Sequence, residues 1–250
     1  MFSLQNKSRN KKIAVFSSGH LIKKDFFYYF KDWENLPVIA FFSNRKIDFS
    51  REKNREYLCR ILGIERKSLV LPEQKHGGKV GLVNFKNINN SFSTDALVTQ
   101  ESGMALAVLT ADCFPIFLYD PVKNAIGIVH AGWRGTKERI LENTIVEMQN
   151  RFSTSPLYLK VAFGPGIRSC CYEVGEDLFE YFPEFIVERD KRFFLDLEEA
   201  NFRQLQSLGI KRENIIIPAI CTACQNEEFF SYRREGEKAG RNISVIMIKN

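Results

Sequence analysis

Short apolar runs separated by turn residues recur along the chain, and their spacing sets the expected elements. The segments PVIAFFS, KSLVLPEQ, DALVTQ, MALAVLT, PIFLYD, AIGIVH, YLKVAFG, NIIIPAI and ISVIMIK are rich in β-branched and aromatic residues and read as strands. Several are apolar at consecutive positions, the pattern of central strands covered on both faces. Helices are expected over about 51–63, 136–151, 175–182 and 197–208, where they would cover those strands. From Asp95 to His130 strand follows strand without a helical spacer, which excludes a strict βαβ alternation. The expectation is therefore an α+β (mixed α/β) domain of layered mixed sheets covered by helices. The aromatic stretch KDFFYYFKDW reads as an amphipathic segment facing the core.

No internal repeat, low-complexity tract or Pro/Gly/Ser linker divides the sequence, so residues 1–250 are expected to form one domain. With 44% hydrophobic residues, a chain of this length can bury a substantial core. The net charge of +6 is spread along the chain, which suits a solvated surface and speaks against a nucleic-acid-binding face. A local basic pocket for phosphate remains compatible with it. The basic start MFSLQNKSRNKK is followed only by IAVF, shorter than the ~7–15 apolar residues of a secretory signal. The longest apolar run, MALAVLTADCFPIFLY, is interrupted by Asp112 and falls short of the ~20 residues of a membrane span. A cytoplasmic location is expected. There the six cysteines (59, 113, 170, 171, 221 and 224) would be thiols or metal ligands, not disulfides.

Three strand ends carry soft ligands, and side chains at the ends of buried strands project into clefts on a rigid support. KSLVLPEQ leads to Gln74-Lys75-His76-Gly77-Gly78, MALAVLT to Ala111-Asp112-Cys113, and AIGIVH stops at His130 before Ala131-Gly132-Trp133-Arg134-Gly135. Two imidazoles and a thiolate could meet there to hold a metal. Spacing alone leaves other readings open: His76 as a surface-turn histidine, Cys113 as a small buried apolar residue, and His130 as a hydrogen-bonded core histidine.

The segments QKHGG, TDALVT, TADCFPIFLYD, HAGWRGT, GPGIRSCCYEVG, CTAC and FFSYRREG…GRNISVI resemble the YfiH/YlmD-like family, historically labelled laccase-domain or polyphenol oxidase proteins. They stand in the family's order and cover about residues 70–246, leaving residues 1–30 as an atypical front. The resemblance implies a single-domain α/β/β/α fold and a zinc held by His76, Cys113 and His130. The implied activities are phosphorolysis of adenosine, inosine and methylthioadenosine, deamination of adenosine, and in some members peptidoglycan-precursor editing. The expected partners are thus purine nucleosides and phosphate, with neither nucleic acid nor membrane.

The chemistry fits that implication. Zinc with three protein ligands keeps a fourth position open, as catalytic sites do, and lowers the pKa of bound water toward ~7, so that hydroxide could attack C6 of adenine. In phosphorolysis the same position could orient phosphate or polarise the substrate while cationic groups balance the anion. Arg134 and Arg45 are candidate grips for phosphate or substrate. Asp112 is a candidate partner to a ligand imidazole or a proton shuttle, and equally a turn-capping carboxylate. Gln74 could read a purine edge or finish a turn. Gly132 and Gly135 are expected to permit the strand-to-helix turn. Tyr172 and Glu173 could reach the site or serve the core.

Cys170, Cys171, Cys221 and Cys224 could form a second, four-thiolate zinc site or a redox pair; adjacent cysteines chelate awkwardly, so buried thiols near the cleft are the expectation. The sequence departs from the family after FSNR, where a Gly-Gly-x-Ser loop and an N-L-G segment are absent and FSNRKIDFSREKNREYLCRILGI runs straight into a helix; Lys75 also replaces the usual small or β-branched residue before His76. The shortened front bears on Arg45 and on substrate range. Three histidines exclude a multicopper laccase, although one copper at a Cys and two His is compatible with ligand softness and would make a polyphenol oxidase. The other rivals are a metal-independent hydrolase with Cys113 as nucleophile and His130 as base, and a non-catalytic binding module or envelope-precursor editing factor that keeps fold and metal without nucleoside turnover.

Overall fold

A computed structural model describes residues 18–249. The expectations for the N-terminal MFSLQNKSRNKK and IAVF fall outside the described residues. In chain order the elements begin with β1 (Leu21–Lys24), β2 (Phe27–Phe30), β3 (Val38–Ser43), α1 (Glu52–Leu62), β4 (Leu69–Val70) and β5 (Val80–Leu82). Next come β6 (Ala96–Thr99), β7 (Ala105–Thr110), β8 (Phe114–Asp120), β9 (Ala125–Ala131), α2 (Trp133–Lys137), α3 (Ile140–Phe152) and β10 (Lys160–Phe163). The chain closes with β11 (Glu173–Val174), β12 (Ile186–Arg189), β13 (Arg192–Leu195), α4 (Leu197–Ser207), β14 (Ile215–Ile216), α5 (Tyr232–Glu235) and β15 (Asn242–Ile248).

Two six-stranded sheets carry the architecture, ordered β1-β2-β3-β15-β7-β4 and β14-β10-β8-β9-β6-β5, with a small third sheet β11-β13-β12. Both large sheets are mixed: β4–β7, β5–β6 and β10–β14 run parallel, and the remaining pairs antiparallel.

The wholly apolar strands are buried because they lie between layers. Along β8, Phe114, Ile116 and Leu118 face the helix side with Ile140, Ile145 and Leu205, whereas Phe117 and Tyr119 join the layer between the sheets. Along β15, Ile246 and Ile248 enter that same inter-sheet layer, and Ile243, Val245 and Met247 pack under Leu58 and Cys59 of α1. The period of two in side-chain direction thus divides each continuous apolar run between two cores. The result is the α/β/β/α layering of a mixed α/β domain.

Several expectations need correction. The helix read over 136–151 is broken: Arg139 takes a left-handed φ of 59°, which separates α2 from α3. The helix read over 175–182 is a single 3₁₀ turn at Glu176–Leu178. Only seven residues separate Gly175 from Pro183, a length at which a helix is marginal, and Pro183 biases Phe182 away from helical angles. NIIIPAI and KSLVLPEQ contribute only two paired residues each, since Pro218 and Pro72 lack the amide a ladder needs. The stretch KDFFYYFKDW does face the core, but as strand β2 in a hairpin with β1.

Candidate active site

The ends of β7 and β9 and the loop between β4 and β5 meet at one cleft. Cys113 stands between β7 and β8, His130 is the penultimate residue of β9, and His76 projects from the loop. Their ligand atoms lie within 4.8 Å of one another. The imidazole rings of His76 and His130 stand edge to face at 4.8 Å. His130 is buried, Cys113 is half-buried and His76 is exposed.

Asp95, at the start of β6, organises this convergence. Its Oδ1 accepts from His130 Nδ1 at 2.8 Å and from the His76 amide at 2.8 Å. Its Oδ2 accepts from the amides of Gly77 at 2.8 Å and Lys75 at 3.1 Å. One buried carboxylate therefore fixes the ring of one candidate ligand and the loop that carries the other. The His76 φ of 59° belongs to the left-handed region, where a non-glycine residue needs such support. Burial pushes the Asp95 carboxyl up, but the His130 and backbone hydrogen bonds outweigh it and leave it below its ordinary value.

Gly132 has a structural role other than the expected one. Its φ is −86°, open to any residue, yet a Cβ there would stand 2.8 Å from Cys113 Sγ and 3.5 Å from the His76 ring. Glycine is needed because the thiol passes over it. At Gly135 the constraint is also close approach, to the Gly77 carbonyl at 3.2 Å.

Electrostatically the centre is a thiolate–imidazolium pair when no ion is bound. Burial pushes the Cys113 thiol up, but the charge and hydrogen bond of His130, with His76, bring it down to about 6. Burial pulls His130 down, but the Cys113 charge and the Asp95 hydrogen bond raise it to about 9.

Zinc fits this donor set. A tetrahedral ion with Zn–N near 2.0–2.1 Å and Zn–S near 2.3 Å needs donors roughly 3.3–3.6 Å apart, a spacing these three atoms can adopt with small shifts. Asp95 occupies His130 Nδ1 and so leaves Nε2 as the nitrogen that would face an ion, the usual way a carboxylate orients a ligand imidazole.

The three residues line a cleft of about 950 Å³ that also includes Trp133, Arg134, Tyr172, Arg233 and Arg241. That volume lies at the upper end of ordinary small-molecule sites. Arg134 stacks over the Trp133 ring at 4.5 Å. Arg233 donates to the Glu173 carbonyl at 2.8 Å and lies 5.5 Å from the Tyr172 ring centre. Arg241 donates to the carbonyls of Ala239 and Gly240 at 2.5 and 3.0 Å. Among the described residues none of these three guanidiniums is paired with a carboxylate. Burial and the nearby Cys113 charge push the Tyr172 hydroxyl well above its ordinary value, so it stays protonated.

Other expected site residues are placed differently. Asp112 lines the cleft but touches neither imidazole: Oδ1 accepts from the Thr222 hydroxyl and Oδ2 from the Arg233 amide, both at 2.6 Å. The imidazole partner is Asp95, and Asp112, with a φ of 91°, ties the end of β7 to the Thr222 loop and to α5. Gln74 lines the cleft as well, and both ends of its amide engage the backbone of Leu109 at 2.9 Å, the contact that the turn-finishing reading expects. Arg45 is engaged elsewhere. Its guanidinium donates to the Asn226 carbonyl at 2.6 Å and Glu235 at 3.3 Å over the Phe230 ring, and it is not part of the cleft wall. The Glu173 carboxylate pairs with Arg192 at 3.2 Å. Sequence reasoning missed Asp95, Arg233 and Arg241; all three stand in quoted motifs, and Asp95 opens a strand that otherwise has no use for a charge.

Residues 49–249 match the family model described as multi-copper polyphenol oxidoreductase laccase. The chain is 35% identical over 213 residues to a Bacteroides thetaiotaomicron protein named purine nucleoside phosphorylase, covering 78% of this chain and 79% of that one. It is 34% identical over 209 residues to a protein of an unknown prokaryotic organism named adenosine deaminase RL5, covering 77% and 79%. In structure it is similar to YlmD from Geobacillus stearothermophilus, with a TM-score of 0.84, 26% identity and coverage of 92% and 99%. The Bacillus licheniformis hypothetical protein YfiH superposes with a TM-score of 0.82, 26% identity and coverage of 94% and 99%. Of the three histidines in this chain, His20 bonds Asp32 at 2.9 Å and is not part of the His76–Cys113–His130 group, so only two imidazoles stand at the centre.

Proposed function

The chain belongs to the laccase-domain family to which YlmD and YfiH are its structural neighbours, and on that premise we propose that it is a zinc enzyme of purine nucleosides, principally a phosphorylase. The observation that carries this reading is the convergence of His76, Cys113 and His130 on a cleft walled by Arg134, Arg233 and Arg241. A phosphate oxygen bonds to C1′ of the ribose as the C1′–N9 bond breaks, and the departing base takes up a proton. Both partners must be held together before that exchange, and the dianion must be desolvated.

Zinc held by His76, Cys113 and His130 would supply Lewis-acid polarisation at its open position. The protein's own groups do the rest. Asp95 keeps Nδ1 of His130 engaged and sets the ring's orientation. The Arg134 guanidinium, stacked on Trp133, makes no hydrogen bond among the described residues and is the freest of the three to receive phosphate, with Arg233 and Arg241 beside it. Trp133 and Tyr172 present ring surfaces to a purine, and the Tyr172 hydroxyl keeps its proton at neutral pH and can donate a hydrogen bond.

Adenosine deamination at the same centre is a second reading, favoured by the relative named adenosine deaminase RL5. The experiment measures bound metal in protein purified without chelators and follows adenosine and inosine with and without phosphate, alongside His76→Ala. Stoichiometric zinc with phosphate-dependent release of base in the wild type supports phosphorolysis. Phosphate-independent conversion of adenosine to inosine supports the second reading. Metal-free protein that turns over through its thiol refutes both in favour of a Cys–His hydrolase, and copper with phenol oxidation refutes them in favour of an oxidase.

A further inference from the structure

Four cysteines unused by the cleft lie together elsewhere. The sulfurs of Cys170, Cys171, Cys221 and Cys224 are all within 4.8 Å of one another. Cys224 Sγ is 3.4 Å from Cys170 Sγ and 3.2 Å from Cys171 Sγ. Burial of all four is not observed: Cys221 is buried, Cys171 half-buried, and Cys170 and Cys224 are exposed.

Adjacent cysteines can share an ion only if the backbone turns between them, and here it does. The amides of Cys171 and Tyr172 both donate to the Arg168 carbonyl at 2.9 Å, and the Glu173 amide donates to the Cys171 carbonyl at 2.9 Å. This tight turn aims both sulfurs at the opposite segment. That segment is itself pinned: Cys221 bridges Gly166, the Thr222 amide donates to the Gly166 carbonyl at 3.0 Å, and the Gln225 amide closes a turn on the Cys221 carbonyl at 3.1 Å.

We infer that Cys170, Cys171, Cys221 and Cys224 form a second zinc site, closed by four thiolates and structural in role. A tetrahedron with metal–sulfur bonds of ~2.3 Å has sulfur–sulfur edges of ~3.8 Å, a spacing these side chains reach with small rotations. Each thiol gives up its proton as its sulfur bonds the ion. The sulfurs are not arranged as a disulfide pair would be. Cys224 is as near to Cys171 as to Cys170, so the fold selects no unique partner.

The surroundings suit an anionic cluster. Zinc with four thiolates carries a net double negative charge, and three guanidiniums stand beside it. Arg168 interacts electrostatically with Cys170, Arg189 donates to the Ser169 carbonyl, and Arg234 donates to the carbonyls of Thr222 and Ala223 at 2.9 and 3.0 Å. Arg168 is partly neutralised by Glu198 and Arg234 by Glu235, whereas Arg189 has no carboxylate partner among the described residues.

The site fastens two segments of the cleft wall. Tyr172 follows Cys171 directly, and Thr222, next to Cys221, holds Asp112 at 2.6 Å. A closed ion there would fix both without taking part in chemistry.

The test counts zinc by mass spectrometry in protein grown with zinc and purified without chelators. Two zinc ions per chain are expected in the wild type, one in His76→Ala, one in the Cys170→Ser/Cys224→Ser double variant, and none when all three substitutions are combined. Retention of wild-type zinc by the double variant overturns the inference, and because His76→Ala reports the other centre separately, either site can fail alone. A second measurement does not depend on the variants folding. In reduced, metal-free wild-type protein, added Zn2+ should slow maleimide labelling of Cys170 and Cys224, followed peptide by peptide, by about tenfold or more. Equal labelling with and without Zn2+ overturns the inference, as does a reducible disulfide within the cluster in zinc-supplied protein.

Discussion

Asp95 Oδ1 lies 2.8 Å from Nδ1 of His130, and the same oxygen accepts the backbone amide of His76, 2.8 Å away. One atom therefore aims one candidate ligand through its ring and the other through its chain. Neutral Asn at this position would offer one acceptor oxygen and present an NH2 group to amides that are themselves donors. Asp95→Asn is expected to weaken zinc binding by roughly 10–100-fold, the usual cost of losing a carboxylate behind a ligand imidazole. Competition with a chromophoric chelator measures it, in the Cys170→Ser/Cys224→Ser background to isolate the cleft centre. Unchanged affinity would mean that the His76 loop and the His130 ring hold their places without Asp95.

Gly132 is a steric requirement of the same centre. A methyl group at 2.8 Å from Cys113 Sγ is closer than real contacts allow, and the sulfur is the atom that must move. Gly132→Ala should lose most of the metal at His76, Cys113 and His130 while keeping its circular dichroism spectrum. Gly19→Ala, where a Cβ would meet nothing within 4 Å, is the control expected to change neither. Full metal retention in Gly132→Ala would show that the backbone can yield there.

How much of this is visible in the sequence depends on the range of the interaction. Strands β8, β9 and β15 are legible because burial on both faces leaves long, largely apolar runs. The edges are not: β11, β12 and β13 are short and partly exposed, so their composition does not separate them from loop. The break between α2 and α3 turns on the left-handed angle of Arg139, a residue whose type gives no sign of it. At the site, His76, Cys113 and His130 can be picked out as chemically distinctive residues at strand ends. Asp95 escapes because its partners are 18 to 35 residues away, so no local pattern announces them. Arg45 and Arg134 look alike in sequence. What distinguishes them is that Glu235 and the Asn226 carbonyl close around the first and leave the second free.

The charge pair at the centre predicts how zinc affinity varies with pH. In metal-free protein Cys113 ionises at about 6, and His130, raised by Cys113 and Asp95 against the effect of burial, holds its proton to about 9. Between those limits the thiolate is already formed, but zinc must displace the His130 proton. This pair should release one proton per zinc bound, and affinity at the centre should rise about tenfold per pH unit across that window, levelling above about 9. Calorimetry in buffers of different ionisation enthalpy counts the protons, again in the variant lacking Cys170 and Cys224. Zinc binding that releases no proton from the pair at pH 7.5–8 would contradict a protonated His130. Site-resolved alkylation offers a second check: in metal-free protein Cys113 should react with half its limiting rate near pH 6, well below the ~8.5 of an ordinary thiol.

The two arginines singled out from sequence make opposite predictions. Arg134 faces the cleft, stacked on Trp133 and without a carboxylate partner among the described residues, so its charge is available to a bound anion. A hydrogen bond to a charged group contributes about 1.5–3 kcal/mol, so Arg134→Gln should raise KM for phosphate by roughly 10–150-fold and alter KM for the nucleoside much less. Arg45 is held by Glu235 and Asn226 outside the cleft wall, so Arg45→Gln should leave both KM values near wild type and lower stability modestly. Steady-state kinetics with phosphate and nucleoside varied in turn, alongside thermal melts, separates the two. Were Arg45→Gln to raise KM for phosphate while Arg134→Gln did not, the anion would have to bind on the Phe230 side of the molecule, and the assignment of the guanidinium-walled cleft as the phosphate site would fall.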